Sequence, residues 1–459
     1  MEDSHPVGLE LKSLRILESA LQRLNSGFQE MEPYESRLID LQELERVMLE
    51  VADRLKNNFP YFHPLYAGQM MKPPHPAARL AYMLSLYINP NNHALDGGRA
   101  SSCMEKEAVR HIAGMFGWET YLGHLTSGGT MANLEALWIA GQKNPGRLIV
   151  ASTQAHYTHE RLSRVLGLPF RSVPADRWGR MNSNALEDLL KSGEVGTVVA
   201  TIGTTATGAL DPLPEIISLQ KKYGFRIHAD SAYGGYFRLA DNLMPSSMAV
   251  FDRLSEVDSI VVDPHKHGLQ PYGCGCILFR DPSVGSFYKH DSPYTYFSSD
   301  ELHLGEISLE CSRPGASAVA LWATQQLLPL VKNGEFARMI SRGREAAKIL
   351  YNRLKADDRF ITAFPPELDI VVWAPKAGSA SEISALARQL FETAQTNNLH
   401  LALAGLPASF FGLSSPKIIS DQQNLTCLRS VLMKPEHEEW SGMIWQILDR
   451  SMEQILRNK

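Results

Sequence analysis

The sequence predicts an α/β protein whose largest part is a mainly parallel β-sheet covered by helices. The middle of the chain alternates between short apolar, β-branched runs and helical stretches, which is typical of a parallel sheet with crossover helices. Apolar residues recur at helical spacing near the start of the chain. After the last crossover, a shorter stretch mixes strands and helices. We therefore expect a helical N-terminal segment, a large α/β domain and a small C-terminal α+β domain.

Composition limits the class of protein. The 459 residues are 44% hydrophobic and 21% charged, with a formal net charge of −5. This balance is typical of a soluble globular protein and lacks the basic excess that nucleic acids or anionic membranes attract. No run of about 18 apolar residues predicts a membrane span, and the first residues lack the pattern of a secretory signal. We expect a cytoplasmic protein that binds neither nucleic acid nor membrane.

The cysteines agree with that compartment. There are five, widely scattered, which argues against a disulfide framework and fits a reducing environment. Cys274 and Cys276 point to one side of a predicted strand, with no second pair of ligands nearby. Buried apolar packing is therefore a better interpretation than a metal site, and we expect no metal.

The N-terminal part reads as helices followed by loops. Helical periodicity covers residues 14–24 and 37–55, and an amphipathic arm of this kind usually packs on the chain's own body or on a partner subunit. Residues 59–104 are rich in proline, asparagine and histidine and lack strong periodicity, which is typical of functional loops. We divide the chain into 1–104, this arm with its loops; 105–355, the large domain; and 356–459, the small domain.

The remaining elements follow from the same patterns. In the large domain the patterns predict helices at 105–116, 131–141 and 214–223, and strands at 148–151, 197–202, 226–229, 260–263 and 276–279. Residues 314–354 again read as helical. The small domain is predicted to have strands near 369–373 and 425–432, and helices near 381–397 and 435–456.

The strand predicted at 260–263 leads into a stretch that contains a candidate catalytic lysine. Asp263-Pro264-His265-Lys266-His267 follows the strand directly, so the Lys266 amine lies at the mouth of a buried strand. Partial desolvation there favours a neutral, nucleophilic amine that can form a Schiff base. The alternative is an ordinary surface lysine at a strand end.

Three further features of the sequence could take part in binding or catalysis. Residues 126–130 read Thr-Ser-Gly-Gly-Thr before a helix, which suits a phosphate, although a capped glycine turn is the alternative. His156 follows a strand end and could stack on a ring or act as an acid or base, or could be a structural histidine. Asp230 ends another strand, with His228 and Ala232 on the same face. A carboxylate there needs a cation or donor, unless it only caps a helix.

Together these features are what pyridoxal 5'-phosphate requires: a phosphate cradle, a stacking imidazole, a carboxylate for the ring nitrogen and a Schiff-base lysine. Asp230 and Lys266 are far enough apart for one helix and one strand, which places them on nearby strand ends. No single motif is decisive. The ordered set of four predicts a cofactor site.

The same residues carry a family resemblance. From about residue 60 onward the chain resembles group II pyridoxal-phosphate-dependent amino-acid decarboxylases, which have the fold type I, aspartate aminotransferase-like architecture with a seven-stranded sheet. The motifs are Asp263-Pro264-His265-Lys266, His228-Ala229-Asp230-Ser231-Ala232-Tyr233, Ala155-His156-Tyr157-Thr158, and residues 203–211, Gly-Thr-Thr-Ala-Thr-Gly-Ala-Leu-Asp. Ser231 stands where alanine is commoner, and Asp263 where asparagine is common.

The resemblance implies a role for each site residue. Lys266 would form the Schiff base, Asp230 would pair with the pyridine nitrogen, His156 would stack on the ring, and Ala232 would pack against it. The remaining implied cofactor contacts are Ser127, Gly128, Gly129, Thr130, Thr205 and His265.

Substrate contacts are also implied by the resemblance. His63, Tyr66 and Gln69 match a segment that reaches the substrate pocket, and Arg313 matches an arginine that holds the substrate carboxylate. The family reprotonates the substrate carbon with a loop tyrosine. We expect Tyr296, with Tyr294 and His303 as rivals. His267, after the lysine, occupies a position that varies with substrate class and leaves the substrate open.

The resemblance thus implies a homodimeric lyase that converts an L-amino acid to its amine and CO₂, with the site at the subunit interface. Another pyridoxal-phosphate lyase or aldehyde-forming enzyme on this scaffold is the first alternative. A non-catalytic regulatory paralogue is the second, and it is disfavoured because Lys266, Asp230 and His156 are all present.

Overall fold

A computed structural model describes residues 11–32, 40–289, 302–412, 419 and 421–457. Its N-terminal part contains four helices. The last of them has a kink at Gly98, where two helical pieces meet. The helices are α1 (Leu11–Ser26), α2 (Leu41–Leu55), α3 (Pro76–Leu86) and α4 (Leu95–Met115).

The large domain is built on a seven-stranded sheet, as the family resemblance implies. The strand order is β1-β7-β6-β5-β4-β2-β3. Five neighbouring strands run parallel, while β7 is antiparallel to both β1 and β6. The strands are β1 (Leu122–Thr126), β2 (Leu148–Ser152), β3 (Phe170–Val173), β4 (Val195–Thr201), β5 (Arg226–Asp230), β6 (Ser259–Val262) and β7 (Gly275–Phe279).

Helices separate the strands, and the sheet is buried between them. Strands β2, β4, β6 and β7 are buried along their whole length, which is typical of a sheet covered on both faces. The covering helices are α5 (Gly129–Lys143), α6 (Thr158–Val165), α7 (Ser183–Leu190), α8 (Leu213–Tyr223), α9 (Pro245–Asp252) and α10 (Ala316–Leu327).

The small domain is a four-stranded antiparallel sheet with helices, which confirms the α+β prediction. Its strand order is β10-β11-β9-β8, and Trp373 is fully buried in its core. The elements are α11 (Glu335–Ala356), β8 (Phe360–Thr362), β9 (Ile370–Pro375), α12 (Ala380–Thr396), β10 (Ala402–Pro407), β11 (Asn424–Val431) and α13 (His437–Arg457).

Several elements differ from the sequence prediction. Residues 59–104 are not all loop, because they hold α3 and the start of α4. Helix α3 begins with Pro76. Only Ala78 and Ser85 are buried in it, so its sequence shows little apolar periodicity. The predicted boundary after residue 104 therefore falls inside α4. The boundary after residue 355 falls in the last turn of α11, whose first half packs in the large core and second half in the small one. The predicted helix start at Arg37 lies outside the described residues.

Four short strands were also not predicted. Strand β1 has a glycine and a histidine in its middle, and β3 is an edge strand with two exposed polar residues, so neither shows a clear apolar run. Strands β8 and β10 also lack a clear apolar run, because β8 is short and β10 is partly exposed. Across the described ranges, no helix combines the length and apolar character needed to cross a membrane.

Candidate active site

The carboxyl ends of neighbouring parallel strands bring the predicted site residues together. Asp230 ends β5, and its register partner Val261 lies in β6, directly before the turn that carries Lys266. Ligand crevices in open α/β sheets form at such strand ends. A cavity of about 320 Å³ lies there. All ten predicted cofactor contacts line it: Ser127, Gly128, Gly129, Thr130, His156, Thr205, Asp230, Ala232, His265 and Lys266.

The Lys266 amine faces this cavity beside a buried carboxylate. Its Nζ lies 3.0 Å from Asp263 Oδ2, and the Lys266 side chain keeps 22% of its surface exposed, while that of Asp263 keeps 3%. Asp263 Oδ1 is buried without a hydrogen-bond partner among the described residues. The amine is therefore held in place by one ion pair and remains accessible from the cavity, as a nucleophile must be.

Asp230 is held ionised by His159, a neighbour that no motif in the sequence marks. Its Oδ2 accepts a hydrogen bond from His159 Nε2 at 2.7 Å, and its Oδ1 accepts one from the Ala232 amide at 3.2 Å. Burial by itself would raise the pKa of the Asp230 carboxyl. The hydrogen bond from His159 is the largest of the effects that outweigh burial and leave that pKa below its ordinary value. An ionised carboxylate here can pair with a protonated ring nitrogen.

His156 lies on the cavity wall in a fixed orientation. Its Nδ1 is hydrogen-bonded to Thr158 Oγ1, and the imidazole lines the cavity with Ala232. Burial lowers the pKa of His156; among the weaker influences, the Asp230 charge opposes this effect and the Lys266 charge reinforces it. The neutral ring can stack on a flat aromatic ligand.

The glycines form a cradle that only residues without a side chain can make. Gly128 has φ of 152°, in the region that favours glycine. A Cβ on Gly129 would lie 2.6 Å from Asp263 Oδ2, and one on Gly275 would lie 2.5 Å from the Gly128 carbonyl carbon. These close approaches bring the first turn of α5 against the Lys266 turn.

The cradle already holds an anionic group. The Ser127 amide donates a hydrogen bond to Glu310 Oε2 at 2.9 Å. A phosphate oxygen is the same kind of partner for an amide at a helix N-terminus. An accessible amine, an ionised carboxylate, a neutral ring and an anion-binding cradle therefore fit pyridoxal phosphate, residue by residue.

The predicted substrate contacts are not all brought to this cavity within one chain. His63 packs edge-on against Trp440, with ring centroids 4.9 Å apart, and Tyr66 is buried with its hydroxyl accepting from the Gln69 amide at 3.3 Å. None of the three lines the cavity. The segment approaches it through Tyr272, whose hydroxyl donates to the Met70 carbonyl and whose ring lies 4.9 Å from that of His265.

Arg313 is buried and partly neutralised rather than open to the cavity. Its Nη1 lies 3.2 Å from Glu105 Oε1 and donates to the Leu125 carbonyl, while Nε and Nη2 are buried without a hydrogen-bond partner among the described residues. Arg429, in β11, has the same two nitrogens unpartnered and is not ion-paired to any described carboxylate. Arg429 could not be predicted as a site residue, because nothing in its local sequence marks it.

Of the three rivals for the proton donor, the structure describes only His303. His303 is 1% exposed; its Nδ1 accepts from the Leu95 amide, and it caps the short helix Leu304–Ile307. It does not line the cavity. Tyr294 and Tyr296 lie outside the described residues.

The missed residue His159 had a weak signal in the sequence. It follows His156 by three positions and is the second residue of α6, so it lies close along the chain to a predicted site residue. Tyr233 is a second missed residue: it lines the cavity and donates from its hydroxyl to Asp369 Oδ1 at 2.5 Å.

Comparison with solved structures agrees with this fold. Oryza sativa TDC, solved with PLP and tryptamine, matches with a TM-score of 0.78 at 17% identity, over 98% of this chain and 99% of that one. Mouse CSAD matches with a TM-score of 0.76 at 21% identity, over 95% of this chain and 91% of that one. At these identities the likeness concerns the fold, and it confirms the fold type I prediction.

Sequence relatives carry the comparison further. An L-tyrosine decarboxylase from Enterococcus faecium is 26% identical, over 85% of this chain and 85% of its own. An L-aspartate decarboxylase from Thermococcus kodakarensis is 28% identical, over 71% of this chain and 83% of its own. Residues 30–376 match the family model described as the pyridoxal-dependent decarboxylase conserved domain. With a cavity that fits the cofactor and a match over most of its length, the chain belongs to the pyridoxal-dependent decarboxylase family and is an amino-acid decarboxylase that uses pyridoxal phosphate.

Proposed function

We propose that the cavity at the strand ends is where this enzyme removes the α-carboxylate of an L-amino acid, and that Lys266 is the residue that binds the cofactor aldehyde. The observation that carries this assignment is that Lys266, Asp230, His156 and the glycine cradle come from four separate segments and line one cavity. When bound, pyridoxal phosphate supplies an electron sink for the bond that breaks at the substrate α-carbon.

The chain's own residues would position and polarise that group. Asp263, 3.0 Å from the Lys266 amine, orients it. Asp230 pairs with the ring nitrogen, and its buried negative charge favours a proton there. The neutral ring of His156 stacks on one face and Ala232 packs on the other. The amides of residues 127–130, with the Thr205 hydroxyl and His265, hold the phosphate end.

A guanidinium would hold the substrate α-carboxylate. We propose Arg313 for this role, with Arg429 as the second candidate, because both have two buried nitrogens without a partner among the described residues. Arg313 is already paired with Glu105, whereas Arg429 is not ion-paired to a described carboxylate. Lysine cannot reproduce a bidentate guanidinium contact. Arg313→Lys and Arg429→Lys should therefore differ in KM, and the larger increase identifies the carboxylate contact.

Protonation of the substrate carbon falls to a tyrosine in this proposal. His303 is buried as a helix cap, which favours Tyr296 over it. The test compares Tyr296→Phe with Tyr294→Phe. The variant that loses amine formation while cofactor binding stays unchanged identifies the donor. Loss in Tyr294→Phe alone would assign the role to Tyr294.

We propose an acidic substrate side chain. Lys434 is buried and Lys72 is half-buried, and neither is ion-paired with a described carboxylate: Lys72 donates to the Met433 carbonyl and Lys434 to the Tyr66 carbonyl. Burial lowers the pKa of Lys72 to about 8 and that of Lys434 to about 7. An additional carboxylate would compensate this buried positive charge. A panel of L-amino acids should favour aspartate or glutamate, and preference for tyrosine would contradict the assignment.

We also propose that the enzyme is a homodimer with its active site at the subunit interface. Helix α2 has no buried residue and presents an apolar face, so it needs a partner surface. Its exposed apolar side chains are Leu41, Leu44, Val47, Met48, Leu49, Val51 and Leu55. His63, Tyr66 and Gln69 would then border the substrate entrance in the dimer.

Sedimentation tests the dimer directly. Met48→Lys places a charge on the apolar face of α2 and should shift the protein toward monomer. Gln42→Lys adds the same charge to the same helix at a polar position and should not. If both variants sediment like the wild type, α2 is not the dimer contact.

All five cysteines are free thiols, which supports our proposal that the enzyme works in the reducing cytoplasm.

The main experiment follows CO₂ and amine release from purified protein supplied with cofactor. Lys266→Ala should lose the visible absorbance of bound cofactor and all turnover. Lys191→Ala is the matched control, because its ammonium pairs with Asp188 on the surface. Full activity in Lys266→Ala would refute the assignment of Lys266. Release of an aldehyde instead of an amine would favour the alternative chemistry on the same scaffold.

A further inference from the structure

The carboxylate at the end of β5 has a second imidazole beside it, that of His159. His159 is 0% exposed and Asp230 is 6% exposed, and their contact at 2.7 Å is the shortest that either side chain makes to a described residue. His159 does not line the cavity, so it reaches the reaction only through Asp230.

The direction of this hydrogen bond follows from the chemistry of the two groups. An ionised carboxylate only accepts, so the shared hydrogen belongs to His159 Nε2. The other ring nitrogen, Nδ1, is buried without a hydrogen-bond partner among the described residues. A second proton on Nδ1 would be a buried, unpaired N–H on a charged ring, which is costly. The geometry therefore favours a neutral imidazole with its hydrogen on Nε2.

The ring next to His159 does not supply a competing cation. The nearest ring to His159 is that of His228, 6.3 Å away between centroids. Burial lowers the pKa of His228 to about 3, and its two nitrogens are bonded to Ser259 Oγ and Asn133 Oδ1. With both imidazoles neutral, Asp230 keeps a full negative charge toward the cavity.

We propose that His159 is a positioning residue that makes Asp230 a weaker base and so keeps the shared proton on the cofactor ring nitrogen. A carboxylate that already accepts a strong hydrogen bond holds a proton less tightly. Without that donor, the proton between the ring nitrogen and Asp230 moves onto Asp230. The ring nitrogen then becomes neutral and withdraws electrons less well. This inference rests on the proposed pairing of Asp230 with the ring nitrogen.

The alternative role for His159 is purely structural, because the same bond also ties α6 to β5. Two variants separate the roles. His159→Leu removes the donor. His159→Gln keeps an N–H donor at the distance of Nε2 and cannot become a cation, so it serves as the conservative rescue.

The decisive measurement is the ¹⁵N chemical shift of the pyridine nitrogen in protein loaded with ¹⁵N-labelled cofactor. We expect a protonated ring nitrogen in the wild type and in His159→Gln, and a shift toward neutral pyridine in His159→Leu. In the same preparations, kcat of His159→Leu should fall about 10- to 100-fold with little change in KM, the size expected for one lost hydrogen bond to a charged group.

Three results would overturn the proposal: an unshifted ring nitrogen in His159→Leu, a neutral ring nitrogen in the wild type, or a His159→Gln signal that matches His159→Leu. The wild-type measurement stands by itself if His159→Leu does not fold. Failure of the decarboxylase assignment is distinguishable, because it would appear as absent turnover in the wild type while the ring nitrogen still responds to His159.

Discussion

Replacing Gly129 by alanine tests whether the glycine cradle and the Lys266 turn depend on each other. The new Cβ would lie 2.6 Å from Asp263 Oδ2 and 2.8 Å from Oδ1. Ordinary contact needs about 3.4 Å, so the Asp263 carboxylate must retreat by roughly 0.8 Å or the helix must move. Because Asp263 Oδ2 also holds the Lys266 amine at 3.0 Å, the retreat disturbs that ion pair.

The expected change in stability of Gly129→Ala is the difference between two opposing effects. Overpacking a buried site costs about 1–3 kcal/mol, whereas alanine gains up to about 1 kcal/mol over glycine in a helix. We expect Gly129→Ala to be less stable than the wild type by up to ~2 kcal/mol and to bind the cofactor more weakly. Gly114 in α4 is the control, since a Cβ there meets nothing within 4 Å. Gly114→Ala should be more stable than the wild type by about 0.4–1 kcal/mol.

Urea unfolding measures both stabilities, and absorbance of bound cofactor measures its affinity. The reasoning is refuted if Gly129→Ala is as stable as Gly114→Ala and binds the cofactor as tightly as the wild type. A loss of cofactor affinity without a loss of stability would show that the clash is relieved at no net cost, which contradicts the expected destabilisation.

The remaining predictions concern buried polar groups and the core. Burial raises the pKa of Asp211 to about 7, despite hydrogen bonds from two backbone amides. Because this lies above the unfolded value of about 4, the folded chain binds the extra proton, and stability should fall as pH rises from about 4 to about 7, by up to ~4 kcal/mol. Asp211→Asn should flatten the pH dependence of urea unfolding, and an unchanged curve would contradict this. Tyr233→Phe leaves the Asp369 carboxylate without its donor and should cost about 1–3 kcal/mol in the same assay, whereas Tyr87→Phe, at an exposed position, should cost nothing measurable. Trp373→Ala removes a fully buried indole and should cost about 3–5 kcal/mol; a smaller loss would mean that the small core collapses around the gap.

The architecture of the large domain could be predicted because its signals are local. Buried parallel strands such as β4 and β6 are continuous apolar, β-branched runs, and the sequence shows them directly. Strands without such a run, such as β1 with its internal glycine and histidine, were missed. Their position is fixed by pairing, and β1 pairs with β7, which lies far along the chain.

The cofactor site was predictable for a related reason. Lys266, Asp230 and the paired glycines each follow or precede a recognisable element, and parallel strands put their carboxyl ends at one edge. The substrate side was less predictable. His63, Tyr66 and Gln69 belong to a segment that packs on the small domain, and no local pattern says which surface such a segment meets.

By itself, then, the sequence determined the α/β order and the small domain, because backbone periodicity is a property of neighbouring residues. Its motifs, together with the family resemblance they carry, also identified ten of the residues that line the cavity. Tertiary structure alone decided the partners of those residues. His159 and Asp230 are 71 positions apart and meet only because α6 packs against the end of β5. Arg313 meets Glu105 in the same way. Side-chain pairs of this kind depend on how whole helices and strands pack, and no short stretch of sequence determines that packing.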